Sequence, residues 1–255
     1  VLDAHISDPL LKMAICSYWS YVGLPPSRLP FLDYAMYLFT FIEQKPFHFK
    51  GGSQSLSSAL LDSYLEAGGH VRFQCAAKKI LVTKGKVQGV VTQDGSEIRT
   101  HQVISNCSTL VTYLEMIDRA AVPAEMLQSF SSRTIGPSIF SLYMGFDREP
   151  KDMGVTEATN FICLTDDFER QYRSGRSLAK PVWALYSNYD AIAPDFSSPG
   201  TSQAALLTTQ YVDNWLSVSP HEYSETKCAF AGHLLNLLDQ IYPDCRGHIE
   251  EMEIA

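Results

Sequence analysis

Between residues 53 and 99 the apolar period changes once, from helical to alternating, and glycine pairs bracket the helical part. Ser53 is placed to cap a helix carrying Leu56, Ala59, Leu60, Tyr64 and Leu65 at helical spacing, and Gly68-Gly69 closes it. Residues 71–73 and 79–82 are then rich in β-formers, and Lys84-Gly85-Lys86 is a turn. Residues 87–91 read as its hairpin partner, and Asp94-Gly95 leads into a third short strand at 97–99. Residues 102–106 are expected as a short buried strand. The order helix, strand, three-stranded meander, strand demands a mixed α/β chain, because hairpin turns this short impose antiparallel pairing and one face of the sheet needs a cover.

The flanks add helices and a second sheet. Asp8-Pro9 opens a helix with Leu10, Leu11, Ala14, Ile15 and Tyr18 on one face, ending near Gly23. GLPPSRLP cannot continue it, and a further helix is expected from Phe31 to about Ile42. These pieces are dense in rings (Tyr18, Trp19, Tyr21, Phe31, Tyr34, Tyr37, Phe39, Phe41), a set that builds either a core or an apolar wall. Beyond Ser108 come short helices at 110–117 and 123–130, then strands at 138–146, 161–163, 182–186 and 204–209. A long helix over 223–241 carries Phe230, Leu234, Leu238 and Ile241 on one face. The expectation is a mixed sheet backed by helices.

Composition excludes some functions. A net charge of −8 and a pI near 5.3 oppose a nucleic-acid surface, whose affinity rests on Lys and Arg neutralising phosphates. The cysteines at 16, 75, 107, 163, 228 and 245 are scattered without a zinc-ligand spacing, which reads as reduced, mostly buried thiols in an intracellular compartment. No secretory signal pattern opens the chain. The longest apolar run, residues 34–42, lies between Asp33 and Glu43 and is well short of the ~20 residues a membrane-crossing helix needs. A chain opening Val1-Leu2-Asp3 and closing Glu253-Ile254-Ala255 is expected to be part of something longer.

Residues able to do chemistry unaided are scarce. There is no GxSxG elbow, no P-loop and no GxGxxG turn. The seven histidines form no metal set, His48 reads as a packing residue, and Asp166-Asp167 and Glu250-Glu251 read as solvated charges. No catalytic residue is assigned.

The series GGSQSLSSALLDSYLEAGGHVRF, KKILVTKGKVQGVVTQDGSEI and HQVISN resembles the FAD-dependent oxidoreductases that include phytoene desaturases, carotenoid isomerases and retinol saturases. GLPPSRLPFLDYAMYL, SLYMGFDRE, WALYSNYDAIAPDFSSPGTSQAALLTT and the C-terminal LLNLLDQIYPD…IEEMEIA extend the resemblance over nearly the whole chain. It implies a partial FAD/NAD(P)-binding domain of the two-dinucleotide type with a β-meander, plus a substrate domain of mixed sheet and helices. The implied division is 1–50 (helical part of the substrate domain), 51–108 (partial FAD-binding domain) and 109–255 (substrate domain returning toward the FAD domain).

The same resemblance implies FAD as cofactor of the longer protein, with an incomplete site in this chain. Gly51 and Gly52 match the family's glycine pair near the flavin, Ala77 the strand residue whose backbone meets the adenine, and Ser105 and Asn106 the end of the returning strand. Lys50 and Cys107 depart from the family's proline and alanine at those places. The implied substrate is a hydrophobic polyene that is desaturated, isomerised or saturated, with Tyr18, Trp19, Tyr37, Phe41, Tyr143, Trp183 and Tyr186 as suitable walls. Peripheral membrane contact, at the plastid or elsewhere in the cell, follows from the solubility of such a substrate. Two other readings stand beside it: a non-catalytic module binding an apolar ligand or a membrane surface, and a flavoenzyme of amine-oxidase-like layout.

Overall fold

The computed structural model describes residues 1–255. Its contacts divide the chain into two compact units, Val1–Leu56 with Gly136–Ala255, and Ser57–Ile135. The boundaries fall at 56/57 and 135/136, so the short helices expected after Ser108 pack with the meander.

In the first unit, the N-terminal helix comes in two pieces, α1 (Pro9–Cys16) and α2 (Trp19–Val22). The Asp8 carboxylate accepts from the Leu10 and Leu11 amides at 2.8 and 3.3 Å, satisfying groups that a helix start leaves open. Gly23 ends α2 at φ 84°, a left-handed position where a side chain would be strained. Helix α3 (Phe31–Gln44) follows, and the Tyr34 hydroxyl donates to the Ile15 carbonyl at 2.7 Å, tying α3 to α1. Helix α4 (Gly52–Glu66), whose residues from Ser57 on belong to the second unit, begins at Gly52, one residue before the cap expected from Ser53.

The second unit carries the meander β1 (Ala77–Thr83), β2 (Lys86–Thr92) and β3 (Glu97–Arg99), antiparallel throughout, with Ile80 opposite Val90 and Val90 opposite Ile98. Residues 71–73 and 102–106 are not strands. A strand exists only by pairing, and the sheet of this unit consists of β1, β2 and β3 alone. Phe73 is 76% and Ile104 99% exposed as a result. The helix expected at 110–117 is a π-helical segment, Val111–Met116, and α5 (Ala124–Ser131) follows it.

The remaining strands are β4 (Ser138–Phe146), β5 (Thr159–Cys163), β6 (Trp183–Asn188), β7 (Ser202–Gln210) and β8 (Ile249–Ile254). They form one sheet in the order β5-β6-β7-β4-β8, and every pair is antiparallel, where a mixed sheet was expected. The β6–β7 link is a loop that returns to the same end of the sheet, and parallel pairing would need a crossover instead. Between β5 and β6 lies α6 (Phe168–Ser174), and between β7 and β8 lie α7 (Val212–Leu216) and α8 (Tyr223–Leu238).

Strand alternation sorts the side chains onto two faces. Phe140, Leu142, Met144 and Phe146 of β4, with Tyr186 and Leu206, pack against Phe230, Leu234 and Leu238 of α8. Ile241 lies past the end of that helix and is 39% exposed, while Tyr242 next to it is buried. Trp183, Leu185 and Tyr211 form a second cluster with Trp19 of α2 and Tyr172 of α6. Residues 1–30 are thus held to the sheet by aromatic packing. All six cysteines are free; Cys16 and Cys245 are buried, whereas Cys107 and Cys228 are exposed, so burial of most thiols does not hold.

Candidate functional site

The open aromatic surface of the first unit is built from α2, α3 and β5. Tyr18, immediately before α2, has its ring centroid 4.8 Å from Phe41, 5.2 Å from Phe161 and 6.1 Å from Tyr21. Tyr37 lies 6.3 Å from both Tyr18 and Tyr21 and 6.4 Å from Phe41. Helical spacing explains the set: Tyr34, Tyr37, Leu38 and Phe41 share one side of α3. The other side is apolar too, with Leu32, Met36, Phe39 and Ile42 all more than 60% exposed. Burial pushes the Tyr37 and Tyr21 phenols above their ordinary range, which favours their neutral form.

The sequence-proposed wall residues divide into two groups. Tyr18, Tyr37 and Phe41 come together on this partly open surface, and Tyr143 stands apart on β4, 47% exposed. Trp19, Trp183 and Tyr186 lie in the packed core at 2%, 2% and 0% exposure. Trp19 Nε1 donates to Gln171 Oε1 at 2.9 Å, and Gln171 in turn donates to the Thr165 carbonyl at 2.7 Å. These residues fasten the helices to the sheet and leave the open surface to Tyr18, Tyr21, Tyr37, Phe41 and Phe161. Tyr21 belongs to the ring-dense set that the sequence offers as core or wall, whereas Phe161 does not. The alternation of β5 was the available signal for Phe161.

A cleft of about 670 Å³ lies beside this surface but is of different character. It is lined by Phe31 and Tyr34 and also by Asp3, Lys12, Asp167 and Glu169. Lys12 Nζ pairs with Asp3 at 2.6 Å, and Arg28 with Glu169 at 2.9 Å, while Ser27 also donates to Glu169. Burying an apolar chain against so many charges would strip them of water, which is costly. The aromatic surface is the better apolar wall.

The residues expected to meet a flavin are split between the units: Gly51 and Gly52 fall in one, and Ala77, Ser105 and Asn106 in the other. A methyl group built on Gly52 would lie 2.9 Å from Cε2 of Phe196, so the Cβ side of that glycine is filled by protein rather than open as a cradle. Ser105 and Asn106 are exposed, and Ser105 Oγ is engaged with Thr112 Oγ1 at 2.8 Å and Cys107 Sγ at 3.0 Å. The cleft beside Ser105 holds about 280 Å³, small for a dinucleotide when ligand pockets run from about 300 to 1,000 Å³. Taken within its own unit, neither group of residues closes a cleft of dinucleotide size.

No protein-family model matches the chain. A chloroplastic prolycopene isomerase of Arabidopsis thaliana is 24% identical over 209 residues, 80% of this chain and 33% of that protein. A 4,4'-diapophytoene desaturase of Methylomonas is 24% identical over 58% of this chain and 29% of its own length. A mouse pyridine nucleotide-disulfide oxidoreductase domain-containing protein is 29% identical over 76% of this chain and 36% of its own length. The chain therefore spans about a third of the length of the curated relatives it matches. The crystal structure of an oxidoreductase from Methanosarcina mazei shares its fold with a TM-score of 0.66 at 17% identity, covering 99% of this chain and 54% of that one.

Proposed function

We propose that this chain, whose relatives support a carotenoid-desaturase-like flavoprotein family, supplies the substrate side of an oxidoreductase acting on a linear, apolar polyene. The observation that carries the reading is the partly open surface of Tyr18, Tyr21, Tyr37, Phe41 and Phe161, beside an α3 stripe that is apolar and bare. A polyene offers few polar handles, so its affinity comes from apolar area at ~25 cal/mol per Å². Flat, weakly polar rings suit a conjugated chain, which can lie against their faces.

In the whole protein FAD would supply the redox chemistry, and most of its contacts would come from residues other than those described above. This chain's own part is to hold the polyene and exclude water from it. No helix is long and apolar enough to cross a membrane. Leu32, Met36, Phe39 and Ile42 instead suit a shallow contact with a bilayer surface, from which such a substrate would be drawn. The chloroplastic relatives favour a plastid membrane as the setting.

Incubating the full-length protein and FAD with a linear polyene, and following the polyene by chromatography, tests this reading. A change in its double-bond number or geometry that depends on FAD is the expected result. Binding of the polyene without turnover, with or without FAD, would favour a non-catalytic apolar-ligand module. Oxidation of amines with no effect on polyenes would favour an amine oxidase.

A further inference from the structure

Gly52 and Phe196 are far apart in sequence and in direct contact in the fold, both within the unit that holds the five-stranded sheet. Gly51 and Gly52 adopt φ of 80° and 77°, and the Gly52 amide donates to the Phe49 carbonyl at 2.9 Å, forming a tight turn into α4. The Phe196 ring lies where a Gly52 side chain would be. It belongs to the β6–β7 loop, which is organised around one buried carboxylate. Asp190, 5% exposed, accepts from the Ser197 amide at 2.8 Å, the Ser197 hydroxyl at 2.9 Å and the Gln203 amide at 2.7 Å. Tyr189 stands 5.5 Å from the Phe196 ring, centroid to centroid.

We propose that this loop is a latch: Asp190 fixes its shape, and the Phe196 ring, seated on Gly52, holds the Gly51-Gly52 turn to the sheet unit. The close approach that the glycine pair permits is thus made by a side chain of this protein. An alanine at Gly52 would displace the ring from its place beside Tyr189. Ser55 adds a second tie, donating from Oγ to the Gly51 carbonyl at 3.0 Å, so the turn is held from both sides. The motif DAIAPDF, with its buried acid and its aromatic six residues on, is the sequence mark of the device.

A double-mutant cycle tests the latch directly. Gly52→Ala combines the strain of a left-handed alanine with the clash against Phe196, and is expected to lower Tm by roughly 4–8 °C. Backbone strain is common to both backgrounds and cancels in the cycle. Gly52→Ala introduced into a Phe196→Ala protein should therefore cost markedly less than in the wild type. Equal costs in the two backgrounds would overturn the latch. If Gly52→Ala does not fold, amide exchange in Phe196→Leu decides: the Gly52 amide should exchange at least ~10-fold faster while β4 and β7 stay protected, and an unchanged rate would overturn the proposal. Neither measurement needs a flavin, so a protein that takes up no FAD would sink the functional reading and leave the latch to stand or fall on these results.

Discussion

The indole rings of Trp19 and Trp183 pack with centroids 5.6 Å apart and planes at 59°, joining the N-terminal helices to the sheet. They differ in one respect. Trp19 Nε1 donates to Gln171, whereas Trp183 Nε1 is the one buried side-chain nitrogen or oxygen without a partner. The two changes to phenylalanine are therefore predicted to differ. Trp19→Phe leaves the Gln171 oxygen unpaired and should cost about 1–3 kcal/mol beyond its lost packing, while Trp183→Phe removes an unpaired donor and should cost less. Urea unfolding of both variants checks the order, and a larger loss for Trp183→Phe would contradict it.

Asp190 holds three donors with one carboxylate at a buried position. Asp190→Ala leaves two backbone amides and a hydroxyl to find other partners and should destabilise the first unit by about 3 kcal/mol. Asp190→Asn, which keeps an acceptor oxygen, should lose less. Equal losses would show that the loop is held by something other than these hydrogen bonds.

The cysteines should differ in reactivity. Hydrogen bonds from the Ser105 and Thr112 hydroxyls hold the exposed Cys107 thiol below its ordinary range. Burial pushes Cys245 up to about 11 and raises Cys16 and Cys163 as well. The sign follows from the charged form: lowering the folded-state value favours the thiolate, a stabilisation present above the unfolded-state value and lost as pH falls through the folded one. Cys107 should thus be alkylated first, with a pH midpoint below that of a free cysteine, and Ser105→Ala should raise the midpoint. Cys245 should stay unlabelled until the protein unfolds.

How far these features could be read from the sequence depends on how local their causes are. The alternation of residues 138–146 follows from one face of β4 packing on α8, and the strand lies where the pattern puts it. The meander is likewise written in two turn signals, Lys84-Gly85 and Asp94-Gly95. Residues 71–73 and 102–106 have strand composition, but composition cannot supply the neighbour that makes a strand. Among the aromatics, density alone does not separate core from surface; that choice was set by packing against Phe161 and Trp183, which come from much later in the chain. The contact of Phe196 with Gly52 has the same non-local origin. The glycine pair announced a close approach without naming what approaches.

The aromatic surface makes a graded prediction for ligand binding. Phe41 packs beside Tyr18 and Tyr37, and Tyr18 in turn meets Phe161, so Phe41→Ala should weaken the affinity for a linear polyene by about 10-fold, in line with the ~1.5 kcal/mol or more of a phenyl group's buried area. Tyr143→Ala, on β4 and apart from that cluster, should leave the affinity nearly unchanged. Quenching of protein fluorescence on titration with the polyene checks both, and the reverse order would move the wall to the outer face of the sheet.

Whether this chain holds the substrate of a polyene-acting flavoprotein can be read from the visible absorption spectrum of the full-length protein, purified after exposure to FAD and recorded before and after anaerobic addition of a linear polyene. Flavin bands should stay with the protein through gel filtration and change when the polyene is added. A colourless protein that takes up no FAD would overturn the proposed function.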